Sequence, residues 1–178
     1  MNWKILTIIL LTIGGLSFTG KEESSLPWKA TRKLNWNDFK GKVPEGSTVA
    51  ALTSARINFK YGYSIRQGLN YEISCFFEKN SSWGRVKNDH ILSHEQGHFD
   101  ITEIHARKLH RDLKKYKFNH ATASKDINAI YQNIVNQQND MQNEYDDESN
   151  FSRDKARQAE WLKKIQDELE SLKEFAGY

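Results

Sequence analysis

A chain of 178 residues suits one domain of ordinary size, and 38% hydrophobic against 28% charged residues allows a packed core under a heavily polar surface. The formal net charge of +3 is too small, and too evenly spread along the chain, to argue for a nucleic-acid partner. The single cysteine, Cys75, excludes an internal disulfide, and its place in an alternating apolar run marks it as a small core residue rather than a nucleophile.

Residues 1–20 read as an export signal: Lys4 gives the positive start, and Ile5 to Leu16 form an apolar stretch too short to span a bilayer comfortably. Gly15-Leu16-Ser17 offers small residues for cleavage, with an uncleaved N-terminal anchor, the only route to a membrane, as the alternative. No cysteine follows to carry a lipid. The expected setting is outside the cytoplasm, periplasmic or secreted. Residues 21–33 form a polar lead-in containing Pro27, and a single domain is expected over 34–178. Trp36 and Phe39 are apolar anchors around a short turn.

From Val49 to Tyr61, the residues Ala51, Thr53, Ala55, Ile57, Phe59 and Tyr61 alternate with polar ones, which predicts one half-buried strand that breaks at Gly62. Leu69, Tyr71, Ile73, Cys75 and Phe77 give a second strand. Gly68-Leu69-Asn70 is expected to interrupt the pairing, leaving Tyr63–Ile65 as a separate short strand. Asn80 to Gly84 reads as loop. A long helix follows from Asn88 or Asp89, either of which can cap it, to about Lys117. A second helix carries Ile127, Ile130, Tyr131, Ile134, Val135, Gln138, Met141 and Tyr145 on one face. A third carries Ala156, Ala159, Leu162, Ile165, Leu169 and Leu172, with Trp161 and Phe175 beside the stripe.

The first helix contains His94-Glu95-Gln96-Gly97-His98. His94 and His98 lie one turn apart and face the same way, the separation at which two imidazoles share one zinc ion. Glu95 leans toward the same side, where a carboxylate can take a proton from an activated water. Gly97 costs roughly 1 kcal/mol against alanine in a helix interior, which suggests a close approach there. HExxH fixes only three letters and also occurs in proteins that bind no metal, so context has to decide. At 100° per residue, Ile91, Glu95, His98, Thr102, Ala106, Leu109, Leu113 and Tyr116 share a stripe with His94 at its margin, so the histidine face is continuous with the buried face.

The remaining histidines fit less well. His105 lies about 10 Å beyond His98 along the axis, too far for one ion. His90 is expected behind the ligands or at the surface, and His110 and His120 on surface or loop, with His120 an outside ligand candidate. Asp100 and Glu103 project away from the pair, Glu103 toward the sheet or an arginine.

A catalytic zinc takes three protein ligands and keeps an open position. A short connection makes the first two helices antiparallel. His98 to Lys117 and Asp126 to Tyr145 each span 19 residues, which brings the end of the second helix beside the histidines. Glu144, Tyr145, Asp146, Asp147 and Glu148 lie there. Asp146 is the favoured third ligand and Glu148 the runner-up, while Tyr145 is placed to steady an oxyanion. The alternative is an ordinary charged helix end.

With these residues in view the chain resembles a bacterial family of predicted secreted zinc-dependent proteases, domain of unknown function 922. The likeness covers most of residues 34–172. It rests on Trp36-Asn37-Asp38-Phe39, Ser82-Trp83, His94 to Ile101 with Glu103 and Ala106-Arg107, then Tyr145-Asp146, Glu148-Ser149, Gln158 and Trp161. The family often has histidine and glycine shortly after its Tyr-Asp motif, where this chain has Phe151 and Ser152. If that histidine is the family's third ligand, this chain is a weakened or inactive member.

The sequence therefore predicts an α+β, zincin-like domain: a small antiparallel sheet packed on a long HExxH helix, plus two further long helices. The function expected is hydrolysis of peptide bonds in a peptide or protein substrate, held by strand addition at a sheet edge, with Zn2+ on His94, His98 and Asp146 and with Glu95 as base and then acid. The rival is an envelope binding or scaffolding domain that keeps the fold without turnover. Nothing in the sequence sets the oligomeric state.

Overall fold

The computed structural model describes residues 24–178. The predicted export signal and the first residues of the lead-in lie outside the described residues. Strands β1 (Ser25–Pro27), β2 (Ala51–Leu52), β3 (Ala55–Ser64), β4 (Gly68–Glu78) and β5 (Trp83–Gly84) precede helices α1 (Asp89–Lys115), α2 (Ala123–Glu148) and α3 (Lys155–Ser171). The architecture is α+β. An antiparallel sheet in the order β1-β4-β3 and a two-stranded antiparallel ribbon β2-β5 accompany the three helices.

The alternation along β3 and β4 works as expected. Ile57, Ile73, Cys75 and Phe77 point from the sheet onto Phe99, Leu109 and Leu113 of α1, and Ile127 and Ile134 of α2 close the same cluster. Two details of the strand reading are corrected. The run from Val49 to Tyr61 is two strands, because Thr53 and Ser54 carry the chain from one partner to another: β2 pairs with β5, and β3 with β4. Ser82 Oγ fixes this junction by accepting from the Ser54 N–H at 2.9 Å. Gly62 is no break, since it pairs with Asn70 inside the β3–β4 ladder, and Tyr63 continues β3 opposite Leu69. Gly68, at φ +69°, sits where the hairpin turns. The lead-in also contains structure. β1 adds a third strand to β4, and Trp28 Nε1 donates to Asp100 Oδ1 at 2.7 Å.

Helix α1 begins where the sequence put it, with Asn88 Oδ1 accepting from the Ile91 N–H at 2.9 Å. From Phe99 to Arg107 every residue is buried, so this segment is enclosed on all sides by the sheet, α2 and α3. Asp100 is held by Trp28, Gln96, Lys33 and Gln166, and Glu103 by Arg107 at 2.8 Å, which satisfies both buried carboxylates away from the histidine pair. A second cluster joins Ile101 and Ile104 to Met141 and Tyr145 of α2 and Trp161, Ile165 and Leu169 of α3. The buried stripe of α3 is Gln158, Trp161, Ile165 and Leu169, rotated from the expected one; Ala156 and Ala159 are exposed. The wide indole of Trp161 and the hydrogen-bonding Gln158 face inward and turn the small alanines out.

Candidate metal centre

The first turns of α1 carry His94, Glu95 and His98 to the floor of a cleft of about 920 Å³. The β2 segment from Thr48 to Ala55 forms one wall, with Gln138, Gln142 and Asp146 of α2 in another. The antiparallel packing of α2 on α1 brings Asp146 to the histidines, as the matched helix lengths required. Asp146 Oδ1 lies 3.0 Å from His94 Nε2 and 3.2 Å from His98 Nε2, and the two Nε2 atoms are 3.1 Å apart. These three residues form a group that could hold a metal ion.

The donor set tests that idea. A tetrahedral ion bonded at about 2.0–2.1 Å holds its donors about 3.3 Å apart, so the three spacings fit with shifts of a few tenths of an ångström. His98 Nδ1 donates to Gln142 Oε1 at 2.5 Å, which turns the Nε2 lone pair toward the centre. Two imidazole nitrogens and a carboxylate oxygen then face one another at hydrogen-bond distance, an arrangement that shared protons or a cation satisfies.

The electrostatics agree. Burial works against the charge on Asp146, yet the hydrogen bonds from His94 and His98 outweigh it and hold the carboxyl well below the usual range. Burial lowers the His94 pKa. At His98 burial also works downward, but Asp146 and Glu95 outweigh it and the pKa is raised. Burial pushes the Glu95 carboxyl up, and its Oε2 is buried without a hydrogen-bond partner. A carboxylate with a free oxygen on the floor of a cleft can accept a proton from a molecule bound there.

Two expectations are withdrawn on geometry. Glu148 is turned from the centre: its Oε2 accepts from Trp161 Nε1 at 2.9 Å and pairs with Arg157 at 3.2 Å. Two residues beyond Asp146 on a helix is about 200° around the axis, so both carboxylates cannot face one ion. Tyr145 does not line the cleft. Its ring is fully buried beneath α1, stacked on His94 with centroids 4.5 Å apart, and its hydroxyl donates to the His94 carbonyl at 3.3 Å. Tyr145 supports the imidazoles from behind instead of facing a substrate, and burial raises its pKa far above that of free tyrosine. Gly97 explains how the ring gets there, because a Cβ at this position would lie 2.6 Å from the Tyr145 hydroxyl oxygen.

His90 stands behind the site, with Nε2–H donating to the Ser152 carbonyl at 2.7 Å. His105 is a core residue bonded to the Ile101 carbonyl at 2.9 Å, and His120 packs against Tyr63 and Phe118. Sequence reasoning missed Gln142. It lies one turn before Asp146 and so shares its face, but an amide stands out in no search for metal-binding side chains. The polar joint from Asp147 to Ser152 is legible at the end of α2, but its backbone conformation is not. Asn150, Phe151 and Ser152 have φ of +49°, +51° and +67°, a region asparagine tolerates but where Phe151 and Ser152 lose roughly 1–2 kcal/mol each. Phe151 and Ser152 both line the cleft.

A family model matches the part of the chain that holds the site. The model of the family described as "Bacterial protein of unknown function (DUF922)" matches residues 18–153, a span containing His94, Glu95, His98, Gln142 and Asp146. The chain belongs to this family. Neither the curated proteins nor the solved structures compared with it give a match.

Proposed function

We propose that this DUF922 protein is a zinc-dependent peptidase with a zincin-like arrangement, acting outside the cytoplasm on peptide or protein substrates. The observation that supports this most is the convergence of His94 Nε2, His98 Nε2 and Asp146 Oδ1 within 3.2 Å of one another, beside the unpartnered oxygen of Glu95. Imidazole and carboxylate donors suit zinc. When bound, the ion would supply Lewis-acid polarisation of a peptide carbonyl and a lowered pKa for a neighbouring water. The chain's own groups do the rest. Glu95 takes the proton of the attacking water and returns it to the departing amine, a task suited to a carboxyl whose pKa burial has raised. Gln142 keeps the His98 ring in one tautomer, and Tyr145 keeps the His94 ring from turning.

The wall formed by β2 suits an extended substrate. The Ala50 carbonyl accepts from the Arg85 N–H at 2.9 Å, and hydrogen-bonded pairs alternate along an antiparallel ladder. Ala51 therefore directs its N–H and C=O away from β5, on a segment that lines the cleft. A peptide backbone can pair with such an edge. The site on residues 1–20 of a charged start and an apolar run supports export.

Zinc titration and peptide hydrolysis with the wild type and Glu95→Gln test the reading. Zinc binds both proteins, and hydrolysis is confined to the wild type. Zinc binding without hydrolysis by either protein would favour the binding-domain rival.

A further inference from the structure

Among the described residues six large apolar side chains are exposed, and three of them, Val49, Leu52 and Phe151, line the one cleft that holds the histidines, with 48%, 41% and 49% of their surface open. Val49 and Leu52 come from the β2 wall, and Phe151 from the joint after α2. Solvent-exposed apolar groups gathered around a polar centre lose free energy until something covers them.

Phe151 is held in place at a cost. The three successive left-handed residues at 150–152 form a tight turn that glycine would adopt without penalty. The turn is tied at both ends: Phe151 N–H donates to the Asp146 carbonyl at 2.7 Å, Asn150 N–H to the Asp147 carbonyl at 3.1 Å, and His90 donates to the Ser152 carbonyl at 2.7 Å. The Phe151 ring belongs to neither hydrophobic cluster, so it is not held there by the core. The feature gained by the strained conformation is a phenyl ring at the cleft, anchored through the backbone of the residue that supplies the carboxylate donor.

We propose that Phe151, with Val49 and Leu52, forms an apolar clamp that selects a bulky apolar side chain next to the bond presented to Glu95. The substrate class is thus an extended peptide with a leucine-, isoleucine-, valine-, methionine- or phenylalanine-like residue at one fixed position. This inference rests on the peptidase reading for its reaction but not for its recognition. The pairing edge at Ala51 holds the peptide backbone, which is common to all sequences, and the clamp supplies the discrimination.

The test uses the zinc-loaded full chain with a mixed peptide library, cleavage sites being read by mass spectrometry, and capture of the same library by zinc-loaded Glu95→Gln. Bulky apolar residues should be favoured over serine by about tenfold or more at one position in both experiments. Phe151→Ala should cut that preference to about threefold or less, and Phe151→Leu should retain it, with zinc affinity and melting temperature unchanged in both. Cleavage without apolar preference overturns the clamp and leaves the peptidase reading standing. Apolar preference in capture without any cleavage leaves the clamp and overturns the peptidase reading. Neither capture nor cleavage overturns both, and an undiminished preference in Phe151→Ala overturns the role of Phe151.

Discussion

Substituting Gly97 by alanine sets two effects of opposite sign against each other. In an exposed helix the change would stabilise by about 1 kcal/mol through backbone entropy. Here the new methyl would lie 2.6 Å from the Tyr145 hydroxyl oxygen and 2.9 Å from two ring carbons, where relaxed contacts need roughly 3.5–4.0 Å. The ring must move by about 1 Å, and it is fully buried with His94 stacked on one side and Trp161 packed at 5.6 Å. Overpacking of this kind costs about 1–3 kcal/mol, and the enclosed ring puts this case at the upper end. The net expectation is a loss of about 2 kcal/mol after the propensity gain is subtracted. Because Tyr145 precedes Asp146 and supports His94, zinc affinity should also fall, by about tenfold or more. Urea denaturation in chelator, followed by tryptophan fluorescence, measures the first quantity, and competition with a chromophoric chelator the second. Tyr145→Phe removes the closest contact, so the double variant should recover part of both losses. A Gly97→Ala protein more stable than wild type, with unchanged zinc affinity, would refute the account of how the site is supported.

Gln142→Ala removes the acceptor of the His98 Nδ1–H and should weaken zinc binding by about 10–100-fold with little change in fold, read by the same chelator competition. His105, buried in α1, has its pKa pulled from 6.5 to about 4 by burial, so its unfolded form binds more protons between those values and the chain loses stability as pH falls from 6.5 toward 4. The contribution is about 3 kcal/mol at its limit, and His105→Gln should remove that part of the acid sensitivity. It is measured as the difference between wild type and variant in pH-dependent urea melts, since the raised carboxyls of Glu95 and Glu103 act in the opposite sense.

What the sequence made legible follows from periodicity. Two strands with period 2 and three helices with period near 3.6 announce themselves, and the lengths of α1 and α2 were enough to bring Asp146 to the histidines. Pairing partners are another matter. The alternation from Val49 to Tyr61 is unbroken in sequence, but alternation records which side is buried and not which strand lies alongside, so the change of partner at Thr53 and Ser54 left no trace. Tyr145 shows the same limit on a helix. Proximity to Asp146 in sequence suggested proximity at the site, whereas one residue is a rotation of about 100°, which turns Tyr145 beneath α1. The strained joint at residues 150–152 contains no glycine, so nothing marked it as left-handed.

The position of Phe151 also bears on the expectation that a histidine in this region supplies the third donor. Asp146 already stands within 3.2 Å of both imidazoles, so the donor set of this chain does not depend on a histidine at the joint. The side chain of Phe151 can then change without dismantling the ligand set, because its tie to Asp146 runs through the backbone N–H. Helix α1 carries the cleft floor on one face, through Ile91, His94, Glu95, His98 and Thr102, while its segment from Phe99 to Arg107 is buried throughout. A floor fixed in this way tolerates variation in the walls above it, so substitutions at Val49, Leu52 or Phe151 should reshape the cleft and leave the donor geometry in place.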